Sequence, residues 1–254
     1  MRARGLLSLA AASALVVGLA PAGRAAAPQV VAAVPTSGLV LSYTFANETG
    51  TVVRDRSTSG INGTLVNASA PTAYVTSLPG HDKALRLVGS KRQYVDVGDA
   101  ARLDVNRYTL AAWVRYTGVQ DAQTLDRWEV MEKAGAYWMN IRTTGQVRVG
   151  GFYGGCANPS WKYLDSPKPI PAQTWTHVAA TYNGSRLTIW VNGAKVASRA
   201  ISGTTCANGE PLAVGAKNAP AKGLLEAFYD GDLDDVRIYS RALGASGIAS
   251  LAAR

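Results

Sequence analysis

The sequence is short of the residues that usually carry chemistry. It has 2 histidines and 2 cysteines in 254 residues. Neither His81 nor His177 lies in a zinc-type ligand spacing, and neither has a nucleophile motif beside it; a G-x-S-x-G elbow is missing altogether. Zinc hydrolysis and serine-nucleophile catalysis therefore have no residues to rest on. Dense lysine or arginine runs are also missing, although the formal charge is +9. A scattered excess of that kind leaves nucleic-acid binding without a motif. Beyond the amino-terminal segment no apolar run approaches the roughly 20 residues that span a bilayer, and no internal repeat stands out.

The amino-terminal segment reads as a leader. Basic "MRARG", apolar "LLSLAAASALVVGLA" and small-residue "PAGRAAAP" follow one another in the order of a secretory signal peptide over residues 1–27, cleaved between Ala22 and Ala27. Residues 28–37 then form a linker and residues 38–254 one domain, exported to the extracellular space. Loss of Arg2, Arg4 and Arg24 leaves 23 basic against 17 acidic residues. That remainder suits acidic glycans or an anionic cell surface, and equally a merely solvated one. In an exported chain, the single pair Cys156 and Cys206, in "GGCANPS" and "TTCANGE", favours a disulfide. Closing that loop stabilises by about 4 kcal/mol from chain entropy, less any strain.

Strand signals fill the rest. "LVLSYTF", "ALRLV", "QYVDVG", "YTLAAWVRY", "YWMNIRT", "QVRVGGFY", "THVAATY", "LTIWVNG", "PLAVGA" and "DDVRIYS" alternate with segments rich in Gly, Asn, Asp, Pro and Ser. In "THVAATYNGSRLTIWVNG", Val178, Ala180 and Tyr182 share one face, and Leu187, Ile189 and Val191 continue it after the turn. Asn183-Gly184 readily supplies positive φ, so the stretch predicts a β-hairpin. Only "SRALGASGIASLAAR" has helical spacing. The expected fold is all-β: a two-sheet antiparallel sandwich with a short C-terminal helix or turn. The long connections Thr117 to Arg127 and Cys156 to Ala172 are candidate functional loops.

Four segments carry a family resemblance: "GLVLSYTFANETGTVVRDRSTSGINGTL", "YVDVGDAARLDVNRYTLAAWVRY", "TWTHVAATYNGSRLTIWVNGAKVA" and "GDLDDVRIYSRALGASGIASL". In this order they resemble a laminin G-like (concanavalin A-like) jelly-roll domain across Gly38 to Leu251. The resemblance implies the fold. It does not choose among lectin-like modules, adhesion domains, glycanases and lyases. It also implies Ca²⁺, structural or bridging to a ligand, and Asp55, Asn62 and Asp234 match the acidic and amide positions; Asx residues capping turns match them equally well.

Face assignment gives candidate binding residues. Trp113 and Arg115 lie opposite the inward Leu110, Ala112 and Val114; Trp138, Asn140 and Arg142 lie opposite Tyr137, Met139 and Ile141. Arg148, His177, Trp190, Asp235, Arg237 and Tyr239 join the outward set. Tyr153 and Trp161 belong to the loop held by Cys156. Aromatic rings stack on the CH faces of sugars while planar polar groups bond their hydroxyls, so the mixture suits a glycan. The same face would serve equally as the bed of a second packed layer. For catalysis, glycanases of this fold carry two carboxylates on one strand face, which requires an even spacing. Glu129 and Glu132 are three apart and Asp234 and Asp235 adjacent, so regular strands would point each pair to opposite faces. The expected function is thus a secreted, non-catalytic, lectin-like module for an extracellular poly- or oligosaccharide, or for a cell-surface glycoprotein, with no nucleic-acid partner. A glycan-cleaving hydrolase or lyase using Glu132 and Asp235, and a protein-binding adhesion module, are the alternatives.

Overall fold

Alternating apolar and polar residues become strands wherever one face can be buried. In the computed structural model, which describes Met1, residues 33–120 and residues 125–253, they follow in chain order. The first are β1 (Leu39–Tyr43), β2 (Val52–Val53), β3 (Gly63–Val66), a short helix α1 (Ala70–Ala73), β4 (Tyr74–Thr76), β5 (Lys83–Leu87) and β6 (Tyr94–Gly98). Longer strands come next: β7 (Tyr108–Tyr116), β8 (Arg127–Lys133), β9 (Tyr137–Arg142), β10 (Gln146–Tyr153), β11 (Ser160–Pro169), β12 (Thr176–Tyr182), β13 (Arg186–Val191) and β14 (Ala194–Ala200). The chain closes with β15 (Leu212–Val214), β16 (Lys217–Ala219), β17 (Leu224–Glu226), β18 (Gly231–Tyr239) and helix α2 (Ala245–Ala252). Apart from Met1, the expected leader lies outside the described residues, as do residues 28–32 of the expected linker.

Two eight-stranded antiparallel sheets face each other. The first runs β14-β13-β12-β7-β18-β5-β4, with β1 also on β18; the second runs β11-β10-β9-β8-β15-β6-β3-β2. β16 and β17 form a separate hairpin. Between the sheets, Leu110, Ala112, Val114, Val178, Ala180, Tyr182, Leu187 and Ile189 meet Trp128, Met131, Tyr137, Met139, Ile141, Val147 and Val149 in one buried cluster. In β7, β9, β12 and β13 the inward faces are those expected from the alternation. At the first hairpin only Gly184 takes positive φ, at 94°; the Asn183 side chain instead accepts hydrogen bonds from the Ser185 and Arg186 amides at 3.0 and 2.8 Å. Asn192 and Gly193 both have positive φ, 48° and 80°, which suits the two-residue turn into β14.

Two expectations about segments change. The connection Cys156 to Ala172 is mostly the edge strand β11, paired to β10 along its length. The Cys156–Cys206 disulfide anchors its approach across a separation of 50 residues. The linker, from Ala33, is part of the fold. Tyr239 donates its hydroxyl to the Pro35 carbonyl at 3.0 Å, and Arg241 donates to the Ser37 carbonyl at 2.8 Å. No helix among the described residues is long and apolar enough to cross a membrane.

Candidate functional site

The outer face of the second sheet holds a groove of about 350 Å³. β9 contributes Trp138, Asn140 and Arg142, β10 contributes Arg148 and Phe152, and β11 contributes Trp161. β8 supplies Arg127, Glu129 and Glu132, while Lys217, Ala219 and Lys222 line the groove from the β16–β17 hairpin. Five of the sequence-derived candidates, Trp138, Asn140, Arg142, Arg148 and Trp161, are thereby gathered in one place.

Its aromatic wall depends on a glycine. Gly150 of β10 stands in register with Trp138, and a Cβ there would collide with the indole ring. With no side chain in the way, Trp138 reaches across β10 to Trp161 on β11, the two rings stacked 19° apart in angle at 6.1 Å. Trp138 is 6% exposed, whereas Trp161 is 53% exposed. One indole is fixed and the other presents an open face. Phe152 meets Trp138 edge-on at 5.8 Å, and Tyr163 lies 4.8 Å from Trp161 under the Arg148 guanidinium.

The acidic floor corrects the spacing argument. β8 bulges between Glu129 and Met131 against β9. Val130 and Met131 both enter the core, so Glu129 and Glu132 emerge on the same face and both line the groove. Glu129 is wholly buried; it accepts from Arg127 Nε at 2.9 Å and from Asn140 Nδ2 at 3.3 Å. Glu132 is 6% exposed, and among the described residues its side chain accepts no hydrogen bond. Burial pushes the Glu129 carboxyl up, helped by the charge of Glu132 and opposed by Arg127. Burial likewise raises Glu132 against the pull of Lys217, Arg127 and Lys222.

Most of the remaining candidates belong to the first sheet, and its outer face is covered. Ala111, Ala179 and Tyr239 pack under Leu243, Ile248 and Leu251, with Trp190 at the margin. Trp113, His177, Arg237 and Tyr239 are all buried, and Trp190 donates its indole N–H to Thr181 at 3.0 Å. Burial, with Arg237 adding to it, lowers His177 to about 3. These residues support a second layer. Arg115 lies apart, in a depression of about 410 Å³, where it shares the Asp232 carboxylate with Arg86. Tyr153 is in the core, its hydroxyl 2.8 Å from that of Tyr108. Glu132 and Asp235 do not meet, since Asp235 pairs with Arg237 at 2.6 Å on the first sheet.

The residues expected to bind calcium are otherwise engaged. Asp55 accepts from the Ser42, Ser57 and Ile61 amides and the Ser57 hydroxyl at 2.7–2.9 Å, and Asn62 accepts from the Asp55 amide at 2.9 Å. N–H groups aimed at every oxygen do not fit a hard cation, which needs free oxygen ligands. Asp234 belongs to another set. A second bulge, with Asp235 at φ 48°, brings Asp234 and Asp235 to His81 together, at 2.8 and 3.9 Å. Those ligand atoms lie within 4.8 Å of one another, but Ser77 also donates to Asp234 at 2.5 Å. A nitrogen with two engaged carboxylates is a poor calcium set.

No curated protein matches the chain. Among solved structures, the binding domain of Paraclostridial Mosquitocidal Protein 1 superposes with a TM-score of 0.62 at 18% identity, covering 85% of this chain and 52% of that one. Domain 4 of AbnA, a GH43 extracellular arabinanase from Geobacillus stearothermophilus in complex with arabinotriose, gives 0.61 at 19%, covering 86% and 100%. Trypanosoma rangeli sialidase gives 0.56 at 20%, covering 87% and 33%. The chain spans about half of the toxin binding domain and a third of the sialidase. At such identities the likeness concerns the fold, a sandwich shared by proteins of several activities. The family profile of laminin G type, described as the concanavalin A-like lectin/glucanases superfamily, matches residues 88–249. With two antiparallel sheets, a grooved outer face and that match over most of its length, this chain belongs to the concanavalin A-like lectin/glucanases superfamily.

Proposed function

We propose that the protein is an exported, non-catalytic carbohydrate-binding module whose ligand lies in the groove of the second sheet. One observation carries the reading: the exposed face of Trp161, backed by the fixed Trp138, stands beside the planar polar groups of Asn140, Arg142, Arg148 and Glu132. A sugar ring offers an apolar face to the indole and a girdle of hydroxyls to those groups. The arabinotriose bound to the arabinanase domain supports the same ligand class. Glycan arrays and polysaccharide pull-downs on residues 33–254 test it. Trp161→Ala should lose at least tenfold in affinity with an unchanged melting temperature. Silence across neutral, basic and acidic glycans would end the proposal. The leader is tested by recovering from the medium a protein whose N-terminus begins after Ala22.

The bulge in β8 favours a second reading, glycan hydrolysis, because it places Glu129 and Glu132 side by side in the groove. Two carboxyls of unequal environment can divide the roles of acid and nucleophile. Reducing-end release from pooled polysaccharides by wild type, absent from Glu129→Gln and Glu132→Gln, would support it. Background release from all three removes it.

A further inference from the structure

We infer that the groove selects glycans bearing a free amino group and that Glu132 is the residue that recognises it. The inference rests on the carbohydrate-binding reading and names the ligand class of that same site. It starts from which polar atoms on the groove floor have no partner. Among the described residues, the buried Asn140 side-chain oxygen accepts no hydrogen bond, although its amide donates to Glu129. Glu132 lines the same groove, 6% exposed and opposite Trp138 in the sheet, and among the described residues neither of its carboxylate oxygens accepts a hydrogen bond. Both groups are acceptors. A ligand that settles them must bring donors, and a buried carboxylate is matched best by a donor that also carries positive charge.

The charges already present in the groove do not satisfy that need. Arg127 is held by Glu129, Asp126 and Glu226; Arg142 by Asp126; Arg148 by Asp165; and Lys217 by Glu226. Lys222 is exposed, with its ammonium 5.8 Å from the Phe152 ring. Among the described residues, Glu132 is the one carboxylate lining the groove with no ion pair. Trp138 stands opposite Glu132 in the sheet, and the Trp161 ring stacked on it offers an open π face, which attracts a cation as well as a sugar CH face. A protonated amine on a stacked pyranose would supply three donors and one charge. A hydroxyl supplies one donor, and an N-acetyl group adds bulk and removes the charge. Raised carboxyls on Glu129 and Glu132 are consistent with a pocket built for a cation that arrives with the ligand.

Three trisaccharides that differ only at C2 make the test: the β-1,4-linked glucosamine trimer, its N-acetylated form and cellotriose. Calorimetry at pH 7 should show the glucosamine trimer bound at least tenfold more tightly than either control. Glu132→Gln should erase that advantage, while Trp161→Ala should weaken all three together. In the wild type, carboxyl NMR should show the Glu132 titration moving to lower pH with the glucosamine trimer and staying in place with cellotriose, a readout independent of how the variant folds. Equal affinities, or a preference that survives in folded Glu132→Gln, overturns the inference. If neutral or acidic glycans bind through Trp161 without an amine preference, only the inference falls. If no glycan binds, the function proposed above falls as well.

Discussion

Lys133 illustrates how one residue can decide a local arrangement. It is fully buried at the end of β8, and its ammonium donates to Asp99 at 2.6 Å, to the Glu210 carbonyl at 2.8 Å and to the Asn208 carbonyl at 3.0 Å, with Asp104 at 3.5 Å. An internal cation therefore satisfies a cage of four oxygens drawn from distant parts of the chain. Lys133→Met would leave those oxygens unmatched. It should cost about 3 kcal/mol, the low end for a broken buried ion pair, because Asp99 is 42% exposed and water can relieve it. Urea unfolding measures the loss, and a change below 1 kcal/mol would show that the cage relaxes. The tryptophans divide in a similar way. Trp161→Ala removes an exposed ring and should move the unfolding midpoint little, whereas Trp190→Ala removes packing under α2 and a hydrogen bond to Thr181, and should cost roughly 2–3 kcal/mol with glycan binding intact. The reverse pattern in paired melts and binding assays would move the site to the first sheet.

Among the elements, the regular strands were readable and the irregular ones were not. Val178, Ala180 and Tyr182 of β12 and Leu110, Ala112 and Val114 of β7 face the core because period-two alternation is enforced wherever a face is buried. The same rule misplaced both acid pairs. β8 bulges at Val130, and β18 bulges between Asp234 and Arg237. Each extra residue turns its neighbours by half a period, and nothing in "WEVMEK" or "LDDVR" marks where the ladder slips. Trp138, Asn140, Arg142 and Arg148 were legible from alternation and Trp161 from its place in the Cys156 loop, but Glu129, Phe152, Lys217 and Lys222 were not, since their approach depends on the bulge and on hairpin packing. The covering of the first sheet stood in the sequence only as an even alternative, because α2 is short and its apolar residues look like any loop anchor. Ile248→Ala should test that covering: a buried side chain packed over Tyr239 is lost, at a cost of about 2–5 kcal/mol, while glycan affinity stays unchanged. Weakened glycan binding in that variant would show that α2 supports the groove as well.

On the scale of the whole molecule, buried ionisable groups on its two outer faces oppose each other as pH changes. On the first sheet, His177 is lowered to about 3, chiefly by burial, from an ordinary value near 6.5. Between those values the unfolded chain binds a proton that the folded one does not, so stability falls as the solution is acidified through this window. In the groove, burial raises both Glu132 and Glu129 above their ordinary 4.5. There the folded chain holds the protons. The stabilisation is complete below about 4.5 and is lost as pH rises above it through the raised carboxyl values. Each group contributes a slope of roughly 1.4 kcal/mol per pH unit inside its window. From pH 4.5 to 6.5 the two carboxyls outweigh the one histidine, and above 6.5 they act alone. The melting temperature should therefore fall by several degrees between pH 5.5 and 8.5. Glu132→Gln is neutral at every pH and should flatten that decline while leaving the acid limb from His177 in place. A bound amine supplies the charge that the ionised pair lacks, so saturating glucosamine trimer should also flatten it, and cellotriose should not. Thermal melts across this range would decide the matter, and a wild-type midpoint that rises toward pH 8.5 would show that the groove carboxyls are already ionised in the folded protein.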